Sequence, residues 1–590
     1  MSSFLPEKKT LLLCSALYLA CALLVYGGSL QNRFVSLDDN YLIYENPIIT
    51  RITPQTIKHI FTTYDPELYD PLTFLTYQID YQIGGIEPTV YHAQSLFWHT
   101  LNALLVAALL WMLFRNGIIA VALGLLFLVH PLNTEAVAWA AARKDVLATF
   151  FFLSSLLAYM HYRAEEKKSV YWLSIGLFVL GLLSKVVVIT LPVVLLLIDW
   201  REGRGLSIRM LKEKWPYFLT AVIFGIVALF GKTNALVVTS LGQKMLMAFK
   251  STWFTFTSFF VPFNLSALYP YSGPITLSSA DFFLPVLAVL LLCALALMSV
   301  RRTRKIAFAL AFFVLTLAPT FINFAKGNEI FIASDRYAYI PMIGLLCLLA
   351  ASIHALLDRR LVNRSVILAV LIGLLAGASL LTVSQAATWR DSETLYRHAL
   401  TVSPHSLAAR NNLGMVYLYQ QKYDEALNEF NTLLEQRLWP TTLVNRGLTY
   451  ARQGKSALAV ADYRKALELD PKTVEASYEL GNISYREGRL EEAVELYRKA
   501  LETNPRYTNA LNNLGATYLQ LEQWEKAAQI FEQLIAFNPL FTEAYYNLAV
   551  IYEQTGKMEE AAMMYERSLE LHPNDPDALA GLARTRASHK

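Results

Sequence analysis

TNALNNLGATYLQLEQWEKAAQIFEQLIAFNP, residues 508–539, is the stretch whose reading decides the fold of the C-terminal part. Leu514, Gly515, Tyr518, Ala527, Phe531 and Pro539 stand at the spacing of two paired helices. The small residues let the helices approach closely and the aromatics fill the gap between pairs. The proline ends the second helix, because it offers no backbone donor to a further turn. The same pattern recurs outward from this stretch. Leu480, Gly481, Ala493, Tyr497, Ala500 and Pro505 precede it, and Leu413, Gly414, Tyr417, Ala426 and Phe430 come earlier still. Prolines 471, 505, 539 and 573 are each 34 residues apart.

A 34-residue helix–turn–helix period is the tetratricopeptide one. The spacing predicts about five repeats from about residue 404 to 572, a lead-in helix from Trp389 to Leu400 and a terminal helix. The residue just before the Leu-Gly position of each repeat is Asn412, Asn445, Glu479, Asn513 and Asn547. One residue per repeat in one phase makes a ladder. A carboxamide both donates and accepts, so the ladder can hold the backbone of an extended peptide. The same asparagines can instead cap or bridge helices.

Upstream the composition changes. Residues 1–385 carry 49 charges and residues 386–590 also carry 49 in little more than half the length, with net charges of +9 and −5. The whole chain is 55% hydrophobic and 17% charged, against about 25% charged for an ordinary soluble protein. The expected architecture is all-α: a polytopic membrane domain, 1–385, then an extracytoplasmic solenoid, 386–590. Eleven apolar segments read as spans: 10–29, 93–114, 118–130, 146–162, 169–184, 186–199, 215–231, 282–300, 306–322, 337–357 and 365–385. The first lacks a small-residue cleavage site and reads as a span rather than a cleaved leader. With the N-terminus cytoplasmic, 18 of the 29 Lys/Arg of this part fall in the cytoplasmic connections. That orientation puts the long loop 30–92 and the repeats outside. Residues 245–263 would reverse the later loops if they crossed, and are expected to lie re-entrant or at the interface. Cys14, Cys21, Cys293 and Cys347 lie in apolar runs without metal-site spacing and read as buried hydrophobes. The overall charge of +4 is a sum of two unlike halves and gives no support to nucleic-acid binding.

Five stretches resemble a known family: FVSLDDNYLIYENP at 34–47, HPLNTEAVAWAAARKDVLATFFFLSSLLAY at 130–159, SKVVVITLPVVLLLIDW at 184–200, SDRYAYIP at 334–341 and TWRDSETLYRHAL at 388–400. In this order, and with the repeats, they resemble the transmembrane and tetratricopeptide-repeat O-mannosyltransferases and their bacterial relatives. The resemblance implies the membrane fold of the C-type glycosyltransferases, which use polyprenyl-phosphate-linked sugars. It implies an inverting enzyme that moves a sugar, mannose, to Ser/Thr of exported proteins bound by the repeats. The length is nearer that expected of bacterial members, which implies an inner-membrane protein with periplasmic repeats. Two positions depart from the family pattern: Asp70 stands between Tyr69 and Pro71 where an arginine is common, and Val186 follows Ser184-Lys185 where an acid is common.

A transferase of this kind must take a proton from an acceptor hydroxyl as the oxygen attacks the anomeric carbon. A carboxylate at the membrane surface can do that, or can orient the hydroxyl. The resemblance places that acid at Asp38 or Asp39, with the other holding the loop or a divalent cation such as Mg or Mn. The residues alone also allow a solvated, helix-capping turn. Glu135 is a candidate second acid or cation partner. Arg143 and Lys144 are candidates to hold the donor phosphate, because a leaving phosphate needs positive charge; local pairing with Asp145 is the alternative. Lys185 lies between apolar segments and Arg336 begins one, positions where charge is costly and often functional; for Arg336 the alternative is a pair with Asp335. His92 and His99, seven apart on one helical face, read as packed residues rather than metal ligands.

No P-loop, dinucleotide fingerprint, HExxH or GxSxG occurs, so nucleotide-driven transport and common hydrolase chemistries lose support. Two other functions stay open at this point. One is a non-catalytic membrane scaffold whose repeats gather partners for envelope or pilus assembly. The other is a transferase acting on a glycan or lipid.

Overall fold

The computed structural model describes residues 8–64, 68–205, 207–231, 240–322, 324–326 and 329–587. It divides into two compact units, Met1–Ala409 and Arg410–Lys590.

In the first unit every one of the eleven expected segments is helical. Among the described residues, eight helices are long and apolar enough to cross a membrane: Leu11–Gln31, Pro88–Phe114, Ala140–Glu165, Met210–Gly231, Ala280–Val300, Arg304–Ile322, Pro341–Asp358 and Arg364–Ala387. The other three are shorter. Gly117–Leu128 has 12 residues, Lys168–Ser184 has 17, and Leu191–Arg201 has 11, preceded by the 3-10 turn Val186–Thr190. Gly117–Leu128 meets Pro131–Ala138 at a 49° bend. The bend follows from Pro131, which biases His130 to an extended backbone (φ −80°, ψ 129°). Leu241–Phe260 has 20 residues but is not among the helices apolar enough to span.

Close packing in this unit depends on small residues. A Cβ at Gly344 would stand 2.7 Å from the backbone of both Ala309 and Phe313, so only glycine lets Pro341–Asp358 press this near Arg304–Leu317. The long loop 30–92 is itself folded. Pro54–Thr62 starts with a Thr53–Thr56 capping box, and Pro71–Gly84 follows it. A small antiparallel sheet lies outside the helices, with Glu329–Phe331 between Pro270–Tyr271 and Ala325–Lys326.

The lead-in helix, Ser392–Val402, goes with the first unit. Arg33 N donates to Arg390 O at 2.8 Å, Ser36 N to Ser392 Oγ at 2.8 Å, and Tyr396 Oη to Ser36 O at 2.9 Å. These bonds are why the two units part at residue 409 rather than at the expected 385.

The second unit, with the helix that leads into it, is a run of five helix pairs. They are Leu407–Tyr419 with Tyr423–Gln436, Pro440–Arg452 with Ser456–Leu469, Val474–Arg486 with Leu490–Thr503, Thr508–Gln520 with Trp524–Phe537, and Thr542–Gln554 with Met558–Leu571. Pro576–Ala587 closes the run. The sequence logic is visible in the packing. A Cβ at Gly414, Gly447, Gly481 or Gly515 would stand 2.6–2.7 Å from the ring of Phe430, Tyr463, Tyr497 or Phe531, respectively.

Candidate functional site

The two adjacent acids of the loop 30–92 do different things. Asp39 is fully buried. Its Oδ2 accepts from Val35 N at 2.8 Å and its Oδ1 from Ala141 N at 2.9 Å. It therefore ties the first loop to the second. Burial pushes its carboxyl up to about 7, against the two amide bonds that favour the charge. Asp38 is half-buried and near enough to Arg336 to help hold that guanidinium charged.

Arg336 stands in a clasp between two loops far apart in sequence. Glu135, 2% exposed, accepts from Ser334 Oγ at 2.7 Å, from Arg336 N at 3.0 Å and from the Arg336 guanidinium itself. Burial works against the charge of Arg336, yet Glu135, Tyr337, Asp145 and Asp38 together raise its pKa above the usual value. The guanidinium lies over the rings of Trp139 (4.9 Å) and Tyr337 (5.0 Å), and Trp139 stacks on Trp389 at 5.8 Å. Asp335, the neighbour that sequence offers as a partner for Arg336, instead accepts from Tyr269 Oη at 2.8 Å. Burial and the Glu135 charge push Asp335 well above the carboxylate range.

Beside Arg336 lies a group of two acids and two lysines. Lys185 Nζ is 2.5 Å from Asp145 Oδ1 and 6.0 Å from the centre of the Tyr337 ring. Lys144 Nζ is 4.0 Å from Asp70 Oδ2. Burial raises the Asp70 carboxyl, Lys144 and Lys185 oppose the shift, and Asp145 adds to it. Asp70 is thus a carboxylate facing lysines.

Arg143 has another post. It is fully buried and paired with Asp80. It also donates to Tyr91 O at 2.7 Å and Gln94 Oε1 at 2.8 Å, and its guanidinium lies 4.8 Å from the Tyr77 ring. The Arg143 donors are thus taken up by Asp80, Tyr91 and Gln94 inside the protein. The local pairing of Arg143 or Lys144 with Asp145 gives way: Asp145 takes Lys185. Sequence reasoning missed Asp80 and Trp139. The signal for Asp80 was a lone charge in the otherwise uncharged helix PLTFLTYQIDYQIG, 71–84.

A cavity of about 70 Å³ opens beside Arg336, lined by Leu37, Trp139, Ser251, Ser334, Arg336 and Tyr337 among others. Segments from 37–39, 70, 135–145, 185 and 334–337 thus meet at one place. Among the described residues no group of three or more His, Cys, Asp or Glu side chains can hold a metal ion. His99 accepts from or donates to Tyr339 Oη at 2.6 Å and lies 2.9 Å from Leu128 O, and His130 lies 3.0 Å from Phe259 O, so both are packing residues.

In the repeats the ladder residues Asn412, Asn445, Glu479, Asn513 and Asn547 are all half-buried. Asn445 Nδ2 donates to Asn411 Oδ1 at 3.0 Å, and Asn513 Nδ2 donates to Asn482 Oδ1 at 2.8 Å. Each bond joins one repeat to the one before it. A cavity of about 540 Å³ lies along this row between Leu448 and Ala516.

Tetratricopeptide repeat family models match residues 406–430, 444–508, 484–551 and 542–575. Protein O-mannosyl-transferase TMTC3 of Mus musculus is 25% identical over 462 residues, covering 69% of this chain and 48% of that protein. Protein O-mannosyl-transferase TMTC4 of Homo sapiens is 26% identical over 500 residues, covering 70% of this chain and 64% of that protein. Over a shorter stretch of 155 residues, protein O-mannosyl-transferase TMTC1 of Homo sapiens is 34% identical, covering 25% of this chain and 18% of that protein. The chain spans about half the length of the TMTC3 relatives it matches. Among solved structures, MamA is 26% identical with a TM-score of 0.26, covering 27% of this chain and 95% of that one. By a similarity that runs over two thirds of its length, together with its repeats, this protein is a homologue of the tetratricopeptide-repeat protein O-mannosyl-transferases.

Proposed function

We propose that this protein is an integral-membrane glycosyltransferase that moves mannose from a polyprenyl-phosphate carrier to Ser/Thr hydroxyls of exported proteins. The observation that carries the reading is a half-buried carboxylate, Asp38, within electrostatic reach of Arg336, whose guanidinium lines a cavity together with Trp139 and Tyr337. Asp38 takes the proton of the acceptor hydroxyl while its oxygen bonds to the anomeric carbon. The anomeric C–O bond to phosphate breaks from the opposite side, inverting that carbon, and the electron pair leaves on the phosphate. Arg336, Lys185 and Lys144 are the cations placed to meet the added negative charge. Asp39 and Glu135 position: the first fixes the loop that carries Asp38, the second fixes Arg336. The membrane part supplies this chemistry through an odd number of crossings with a cytoplasmic N-terminus, and the repeats hold the acceptor on the extracytoplasmic side, the periplasm of a bacterial host.

The test is transfer by purified full-length protein from polyprenyl-phosphate mannose to a Ser/Thr-bearing protein, read by mass spectrometry. Asp38→Asn is expected to lower turnover by about 10²–10⁴-fold with unchanged thermal stability. Turnover within a few-fold of wild type would refute the assignment and favour a scaffold.

A further inference from the structure

The groove of the repeats has a direction and a charge that a plain asparagine ladder would not have. Its third rung is Glu479, and a carboxylate accepts only. Asn482 Nδ2 therefore turns to Glu479 Oε2, at 3.3 Å. That leaves Asn482 Oδ1 to accept from Tyr497 Oη at 2.8 Å and Asn513 Nδ2 at 2.8 Å. Asn513 Nδ2 also reaches Tyr478 Oη at 3.3 Å. Glu479 thus fixes the flip of Asn482, which fixes that of Asn513. The amide side of Asn513 is used internally, and its Oδ1 meets only Asn512 Nδ2 at 3.5 Å, the limit of a bond. Asn445 repeats the arrangement by donating to Asn411. Of the rungs, Glu479 and Asn513 line the groove and accordingly offer oxygens to it.

A second row runs beside the first. Seven residues after the rungs at 445 and 479 come Arg452 and Arg486, on the same helical face and about 10 Å along each helix. The equivalent positions in the next two repeats are Gln520 and Gln554. Both arginines line the cavity of about 540 Å³ and are exposed. Among the described residues neither makes an ion pair within 4.0 Å; Arg486 Nε donates only to Asn482 O at 3.3 Å. The groove thus holds two exposed guanidiniums against one half-buried carboxylate, with Tyr478, Tyr485 and Tyr497 as its aromatic wall.

We propose that this groove selects extended acidic segments: backbone N–H groups donate to the oxygens of Glu479 and Asn513, and Asp or Glu side chains reach Arg452 and Arg486. The inference rests on the reading that the repeats receive the acceptor protein, and it adds what that acceptor looks like next to its Ser/Thr. An extended chain presents every second N–H to one side, which suits a row of acceptors. The charge complement sets the choice of side chain.

Fluorescence anisotropy on the full-length protein in detergent tests it. The probes are labelled twelve-residue Ser/Thr peptides with Glu, Gln or Lys at alternate positions. The Glu peptide should bind about fivefold or more tightly than the Gln peptide, the scale of two exposed ion pairs, and the margin should shrink in high salt. Arg452→Gln with Arg486→Gln should erase the margin, and Arg452→Glu with Arg486→Glu should turn it in favour of the Lys peptide. Equal binding of Glu and Lys peptides, or an acidic preference that survives both double variants, would overturn the proposal. Acid-selective binding without sugar transfer would leave it standing and defeat the transferase reading. Transfer that is indifferent to flanking charge would do the reverse.

Discussion

Glu135→Gln keeps the shape of the clasp and removes its charge. The carboxylate receives three donors, Ser334 Oγ, Arg336 N and the Arg336 guanidinium, and its side chain is 1% exposed. A glutamine has one oxygen to offer and turns an amide donor towards a donor on the other side. Arg336, with a side chain 16% exposed, then loses its bonded counter-ion and keeps only the longer-range attraction of Asp145 and Asp38. Removing one member of a buried pair costs about 3–5 kcal/mol. Glu393→Gln, which breaks the exposed pair of Arg397 with Glu393, should cost less than about 1 kcal/mol and serves as the comparison. The informative measurement is a double-mutant cycle with Arg336→Met, using unfolding free energies from denaturant titration in detergent. The double variant should be at least about 2 kcal/mol more stable than the sum of the two single losses predicts, because the orphaned charge is gone. Additive losses, or a Glu135→Gln loss within about 0.5 kcal/mol of wild type, would refute the claim that this pair holds the site together.

Asp39→Asn should flatten the pH dependence of stability. The folded carboxyl is raised to about 7 from its ordinary 3.8, so the folded state binds more protons than the unfolded state between these values. Stability from this group is full below about 3.8 and is lost as pH rises through 7; the wild type should lose ground over that window relative to the variant in denaturant midpoints taken from pH 4 to 8. Lys185→Gln should raise the KM for the polyprenyl-phosphate donor about 10–100-fold, the loss of a charged bond to phosphate, with far less change in the KM for acceptor; equal change in both would remove Lys185 from the donor site. A C-terminal alkaline phosphatase fusion should be active in a bacterial host, and an active cytoplasmic-only reporter there would show that the number of crossings is even.

The repeats were legible because their period is local: each 34-residue unit carries its own glycine, aromatic and proline in fixed phase, and the packing of Gly481 against Tyr497 needs no distant information. The spans were legible as apolar runs, but their lengths were not. The break after Leu128 depends on one proline, and Leu191–Arg201 is shortened by a 3-10 turn that hydropathy does not register. The site was legible as a set of charged positions and illegible as a set of pairs. Arg143 finds Asp80, Lys185 finds Asp145 and Arg336 finds Glu135, across separations of 63, 40 and 201 residues. Neighbour-based pairing favoured Asp145 for Arg143 and Asp335 for Arg336, since sequence exposes only the short separations. Asp38 and Asp39 look alike in the chain. What distinguishes them is the amide of Ala141, which arrives from another loop and takes one of the two out of solvent.

The distance in sequence between Glu135 and Arg336 has a consequence for how the protein is made. The chain emerges from the ribosome at roughly 5–20 residues per second. The 201 residues between the two partners therefore take on the order of 10–40 s to synthesise. During that interval the early helices are already in the bilayer with an unmatched carboxylate at their surface. Only when Ser334 and Arg336 arrive does that charge acquire its counter-ion. A ribosome that stalls, or a message cut short before the last two spans, leaves the carboxylate bare. The clasp is thus a mark of completed insertion, and a chain without it presents membrane proteases with a defect that a finished one lacks.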